Sequence, residues 1–201
     1  GLGAGESFGT FKDPKAIALG QWDDDPQLEL FVLSEEEETV GVSEFDPRTA
    51  RFGFPQPIKI ATSGSSPVAM AYVDAGGSPG VAVVVRNKRD HTLEIHRPGG
   101  AEPVAMELEA VKRPPSSALA GDFDHDDQQD LILFTPGEPM VLVRSVGADA
   151  ESIEVVTEKT MPNFGLVKAA SASNTAMLDV DGDGYAELLV ADENFVRACA
   201  F

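Results

Sequence analysis

Short apolar runs recur along the chain, separated by turns rich in Gly, Pro, Asn and Asp. Runs of this length with such boundaries predict β-strands. They fall at 15–22, 28–33, 39–45 and 52–60, then at 68–73, 80–85, 92–97 and 104–108. A third group falls at 118–123, 130–134, 140–145 and 153–159, and a last one at 175–180, 187–191 and 195–201. No long segment carries an apolar period of 3.6, so a helical fold is not expected.

The groups of four are repeats of one another. Four nine-residue frames line up, beginning at Gln21, Tyr72, Asp122 and Asp179, so the period is about 50 residues. Each frame is followed at once by an apolar run, such as Leu131-Ile132-Leu133-Phe134 or Leu188-Leu189-Val190-Ala191. Such a period belongs to propellers and related arrays, and four short strands make a propeller blade. The expected fold is therefore all-β, a single propeller segment spanning 1–201. Its blades are expected at approximately 13–62, 63–112, 113–170 and 171–201. Phe8-Gly9-Thr10-Phe11 resembles Phe52-Gly53-Phe54-Pro55, which makes 1–12 the outer strand of a preceding or ring-closing blade. The fourth group ends after its third strand. A piece of a larger propeller is expected, with a closed four-blade ring as the alternative. The opening Gly1 fits either a removed leader or an excised piece.

The frames carry the chemistry. In the third, Asp122, Asp124 and Asp126 occupy positions 1, 3 and 5, Gln128 position 7 and Asp130 position 9. In the fourth the same positions hold Asp179, Asp181, Asp183, Tyr185 and Glu187. Calcium takes six to eight oxygen ligands. Side-chain oxygens at 1, 3 and 5 can curl toward one centre, with the carbonyl at 7 and the acid at 9 completing the shell. Gly182 and Gly184 suit a tight turn. The first frame is a weaker version, with Gln21, Asp23, Asp25, Gln27 and Glu29, and Pro26 where glycine is usual. The second keeps only Asp74, beside Tyr72, Gly76 and Gly80, and is expected to be a metal-free turn. An acidic surface turn is the competing reading of the third and fourth frames, and two copies of one spacing weigh against it. An EF-hand is excluded, because position 12 from Asp179 or Asp122 is Val190 or Leu133, not a bidentate Glu.

Charge narrows the function. The chain has 34 acidic against 15 basic residues, a formal charge of −19. Fourteen of those acids lie inside the four frames, where like charges repel unless a cation intervenes. Nucleic acid and anionic membranes are poor partners for such a chain. The basic run at 86–89 and the acidic run at 35–38 are expected as solvated turns. Cys199 stands alone, so no internal disulfide forms, and a buried, inert thiol is expected there. No apolar stretch is long enough to span a bilayer as a helix. His91, His96 and His125 lack metal-ligand spacing, and no nucleophile elbow, phosphate loop or zinc site is present.

The third frame with its strand, Asp-Phe-Asp-x-Asp-x-x-x-Asp-Leu-x-Leu, resembles the FG-GAP/VCBS repeat of integrin α-subunit propellers and many bacterial surface proteins. The resemblance extends over essentially the whole chain, most closely in the third and fourth copies. It implies that each loop joins the first two strands of a blade and binds calcium through positions 1, 3, 5, 7 and 9. Phe8-Gly9 and Phe52-Gly53 echo the family's Phe-Gly element, and the third repeat has no clear equivalent.

The expected function is a non-catalytic, calcium-stabilised scaffold or binding surface with a protein or glycan partner. Loops of this type need calcium near the millimolar range if they behave as extracellular modules, so an extracellular, cell-surface or periplasmic location is expected. The alternative is part of a propeller enzyme acting on polysaccharide, such as a lyase. No cluster of acids and bases outside the loops supports it.

Overall fold

The computed structural model describes residues 5–201 apart from 24, 75–76, 147–152, 162–166, 169 and 200. Among the described residues there are seventeen strands and no helix, so no helix is long and apolar enough to cross a membrane. Fifteen of the strands form four antiparallel sheets in chain order. The first contains β1 (Pro14–Gly20), β2 (Glu29–Ser34), β3 (Thr39–Ser43) and β6 (Gln56–Ile58). The second contains β7 (Ser66–Asp74), β8 (Pro79–Asn87), β9 (Asp90–His96) and β10 (Val104–Glu107). In the third are β11 (Ser117–Gly121), β12 (Asp130–Phe134), β13 (Val141–Arg144) and β14 (Glu154–Val156). The fourth has β15 (Thr175–Leu178), β16 (Glu187–Asp192) and β17 (Phe195–Cys199). Each strand pairs with the next one in its own sheet, and β1 lies beside β7, which lies beside β11.

The sheets pack face to face, which explains why their central strands are apolar without interruption. Successive strand residues point to opposite faces. Val81, Val83 and Val85 of β8 face Phe31, Leu33 and Val40 of the first sheet. The intervening Ala82 and Val84 join Leu131, Leu133 and Val143 of the third. From β12, Ile132 and Phe134 point the other way, into a cluster with Leu188 and Val190 of the fourth sheet. A strand covered on both sides has no polar face to show, so alternation disappears from its sequence. Truncating a side chain such as Phe134, 1% exposed, costs roughly 3–5 kcal/mol.

The outer faces of the end sheets are only partly covered. On the first sheet Phe11 lies over Gly41, where a Cβ would sit 2.6 Å from its ring. Ile17 and Leu19 of the same face are exposed, as are Leu178 and Val196 on the fourth sheet. No sheet closes on itself.

Two predicted strands differ from the structure. The segment 52–60 does not run as one strand. Phe45–Asp46 (β4) and Arg51–Phe52 (β5) make a separate small hairpin, with the Phe45 and Phe52 rings 5.2 Å apart. Only Gln56–Ile58 pairs with β3. The Asp46 carboxylate accepts the Arg48 N–H at 2.9 Å, an Asx turn that diverts the chain locally. In the third repeat the strand predicted at 153–159 stops at Val156, because the Thr160 and Met161 N–H groups turn back to the Thr157 carbonyl.

Candidate metal centres

Three of the four frames share one hairpin register. Gly20 pairs with Glu29, Gly121 with Asp130 and Leu178 with Glu187. In each, position 9 opens the second strand opposite the residue just before position 1. The second frame differs. There pairing continues inward to Asp74 and Pro79, so fewer residues separate the paired strands than in the other three frames. Gly76 lies outside the described residues. Asp74 accepts the Gly77 N–H at 3.0 Å and belongs to no acidic cluster among the described residues.

The third and fourth loops repeat in backbone detail. Positions 4 and 6 have positive φ in both: His125 and Asp127 at 63° each, Gly182 at 82° and Gly184 at 96°. Loop four meets this demand with glycines, which have no Cβ to strain. Loop three meets it with His and Asp, which tolerate the left-handed region better than most side chains. Position 1 caps the turn. Asp122 accepts the Asp126 and Asp127 N–H groups at 3.2 and 3.1 Å, and Asp179 accepts those of Gly182 and Gly184 at 2.6 and 3.0 Å. In loop one Gln21 reverses the polarity, its amide NH2 donating to the carbonyls of Asp23 and Asp25.

Position 9 clasps the loop. The position 2 N–H donates to it in all three: Trp22 to Glu29 at 2.5 Å, Phe123 to Asp130 at 3.1 Å and Val180 to Glu187 at 2.9 Å. Trp22 and Phe123 also anchor the loops by their rings, against Phe31 at 5.3 Å and Phe201 at 5.5 Å.

Carboxylate oxygens converge in each loop. One from each of Asp122, Asp124 and Asp130 lie within 4.8 Å of one another, as do those of Asp179, Asp181 and Glu187, and of Asp23, Asp25 and Glu29. Such groups can hold a metal ion. Asp126 and Asp183 stay outside these trios and instead accept the Gln128 and Tyr185 N–H groups, both at 2.8 Å. Burial raises the Glu29, Asp124 and Asp130 pKa values, with neighbouring aspartates adding to the effect. The charged forms thus lack the compensation that water would provide.

Loop three receives help that sequence spacing does not reveal. The Arg144 Nε lies 2.9 Å from Asp124 Oδ2. Its Nη1 lies 3.6 Å from Glu154, its cross-strand partner in β14. The next two residues also bind the loop: the Ser145 N–H donates to Asp130 Oδ1 at 3.0 Å and the Val146 N–H to the Gln129 carbonyl at 2.8 Å.

Each histidine has a partner. His125 stacks on Tyr185, ring centres 4.2 Å apart, so loops three and four touch. His96 bonds Glu94 at 2.9 Å, and both are buried. His91 is buried with Nδ1 3.0 Å from the Val111 carbonyl. Cys199 is half-buried, with burial raising its thiol pKa. Neither a family model nor a curated protein matches the chain.

Proposed function

We propose that this chain is a non-catalytic, calcium-stabilised segment of a β-propeller of the FG-GAP/VCBS type, serving as scaffold or binding surface. The observation that carries the reading is the recurrence of one loop in one register three times, each with three carboxylates within 4.8 Å. Like charges gathered this closely destabilise the fold unless a cation offsets them. All the side-chain donors are carboxylate oxygens, which suits a hard cation.

The metal's role is structural. Each loop joins the first two strands of a sheet, and a cation bound only by the folded state stabilises it by mass action, about 2.7 kcal/mol per site at a hundredfold excess over its dissociation constant. Sites that fill near millimolar calcium belong outside the cytosol, so the parent protein is secreted, at the cell surface or periplasmic. The surface charge of −19 favours a protein or glycan partner over nucleic acid, and that partner meets a face away from the loops.

Calorimetric titration with calcium tests the reading. Binding at loops three and four with dissociation constants of about 10⁻⁴–10⁻³ M, typical of extracellular modules, is expected. Absence of calcium binding overturns it, and sub-micromolar affinity removes the argument for an extracellular home.

A further inference from the structure

Among the described residues, loop three differs from the other two acidic trios in having a guanidinium ion-paired with one of its members. Arg144 ends β13, the strand paired with β12 on the side away from β11, and its Nε reaches Asp124 Oδ2 at 2.9 Å. The contact is an ion pair without the alignment of a hydrogen bond. Arg144 also lies 3.6 Å from its cross-strand partner Glu154, whose negative charge partly offsets its own. The other oxygen, Asp124 Oδ1, is buried and has no hydrogen-bond partner. Asp124, one of the three carboxylates that converge with Asp122 and Asp130, thus has one oxygen beside a cation and one without a hydrogen-bond partner.

We infer that Arg144 is a positioning residue for a divalent cation at loop three, holding Asp124 with its unpaired oxygen turned to the metal. The inference rests on the calcium reading of the loops. An outer partner that fixes a ligating carboxylate removes the freedom the ligand would lose on binding, and loss of such partners costs about 10- to 100-fold in metal affinity. Ser145 and Val146, which bond Asp130 and Gln129, complete a brace from the end of β13. In loop four Asp179, Asp181 and Asp183 are exposed. Loop three is the better prepared of the two.

The contrary effect of Arg144 is repulsion of the incoming cation. Glu154 opposes it by pairing with the same guanidinium, so orientation outweighs repulsion. The two effects predict opposite signs for removal of Arg144, which makes the question decidable.

The experiment is calcium titration of the full chain carrying D181A, which silences loop four, with and without R144Q. Loop three is expected to weaken by at least about tenfold in R144Q. R144K, which keeps a cation beside Asp124, should recover most of that loss. In a D124A background, where loop four reports, R144Q should leave calcium affinity unchanged, which separates positioning from a general loss of structure. Equal or tighter binding at loop three in R144Q overturns the inference, as does an R144K no better than R144Q. If the D181A chain binds no calcium at all, the calcium reading of loop three falls as well. If it binds with an affinity indifferent to residue 144, only the role of Arg144 falls. Should R144Q not fold, R144K alone still decides: a loss of tenfold or more with the charge retained contradicts the account.

Discussion

The Phe123 N–H donates to Asp130 Oδ2 at 3.1 Å, closing loop three across seven residues, while Asp130 Oδ1 accepts the Ser145 N–H. One buried carboxylate therefore joins the loop to the start of β12 and to the end of β13. Removing it leaves two N–H groups without their acceptor, at about 1–3 kcal/mol each where they stay buried. D130A should lose about 2–4 kcal/mol in urea unfolding without calcium, and D130N less, because its amide keeps one acceptor oxygen. A D130A curve within about 0.5 kcal/mol of wild type would mean the clasp carries no weight.

Loop two supplies the control for metal binding. Its hairpin pairs through Asp74 and Pro79, leaving a short turn with one carboxylate. D74A should leave calcium affinity unchanged, whereas D181A should abolish or strongly weaken one site. Titration calorimetry of the two variants side by side decides the ranking, which is wrong if both lose the same affinity.

Gln21 makes loop one a test of position 1. Its amide donates to the Asp23 and Asp25 carbonyls, supplying positive hydrogens where loops three and four have a carboxylate. Q21D should add a ligand and tighten calcium binding at this loop by roughly tenfold, since ligand charge count sets affinity in oxygen sites. A Q21D chain with wild-type calcium affinity at every site would show that position 1 does not ligate.

Two groups remote from the loops should make acid destabilising. Burial pushes the Glu94 pKa up, but hydrogen bonds from His96, Ala61 and Thr62 outweigh it and bring it down to about 2. Its folded value lies below the ordinary 4.5, so its stabilisation is present above pH 4.5 and fades as pH falls toward 2. Burial also depresses His91. Its contribution begins to fade lower than pH 6.5, where the unfolded chain takes up a proton first. The contribution of these two groups to the unfolding free energy should thus decline in two stages on acidification, opposite in sign to that of Glu29, Asp124 and Asp130, whose raised pKa values favour the folded state as they protonate. E94Q should flatten the lower stage, and an unchanged slope between pH 4.5 and 2 would contradict this assignment.

The repeat, the strand groups and the loop positions are readable from sequence because they are local. The Asp-x-Asp spacing and the apolar run after it lie within a dozen residues. Doubly covered strands such as β8 declare themselves by losing alternation. What is not readable comes from afar in the chain. Arg144 reaches Asp124 from the strand that follows β12, and nothing near either residue marks the pair. The Glu94 bonds to Ala61 and Thr62 span more than thirty residues. His125, which has no metal-ligand spacing to mark it, finds Tyr185 sixty residues on. The β4–β5 hairpin is missed because 45–52 carries an Asx turn inside what reads as a strand connection. Position 9 shows the limit most clearly. Spacing assigns Glu29, Asp130 and Glu187 as ligands, and the structure adds that each also clasps its own loop.

Thermal unfolding with calcium removed and restored tests the calcium account most directly. If cations clamp the loops, a chelator should lower the melting temperature by several degrees, and millimolar calcium should restore it where equal magnesium restores much less. A melting curve that is the same in chelator, magnesium and calcium would contradict the account.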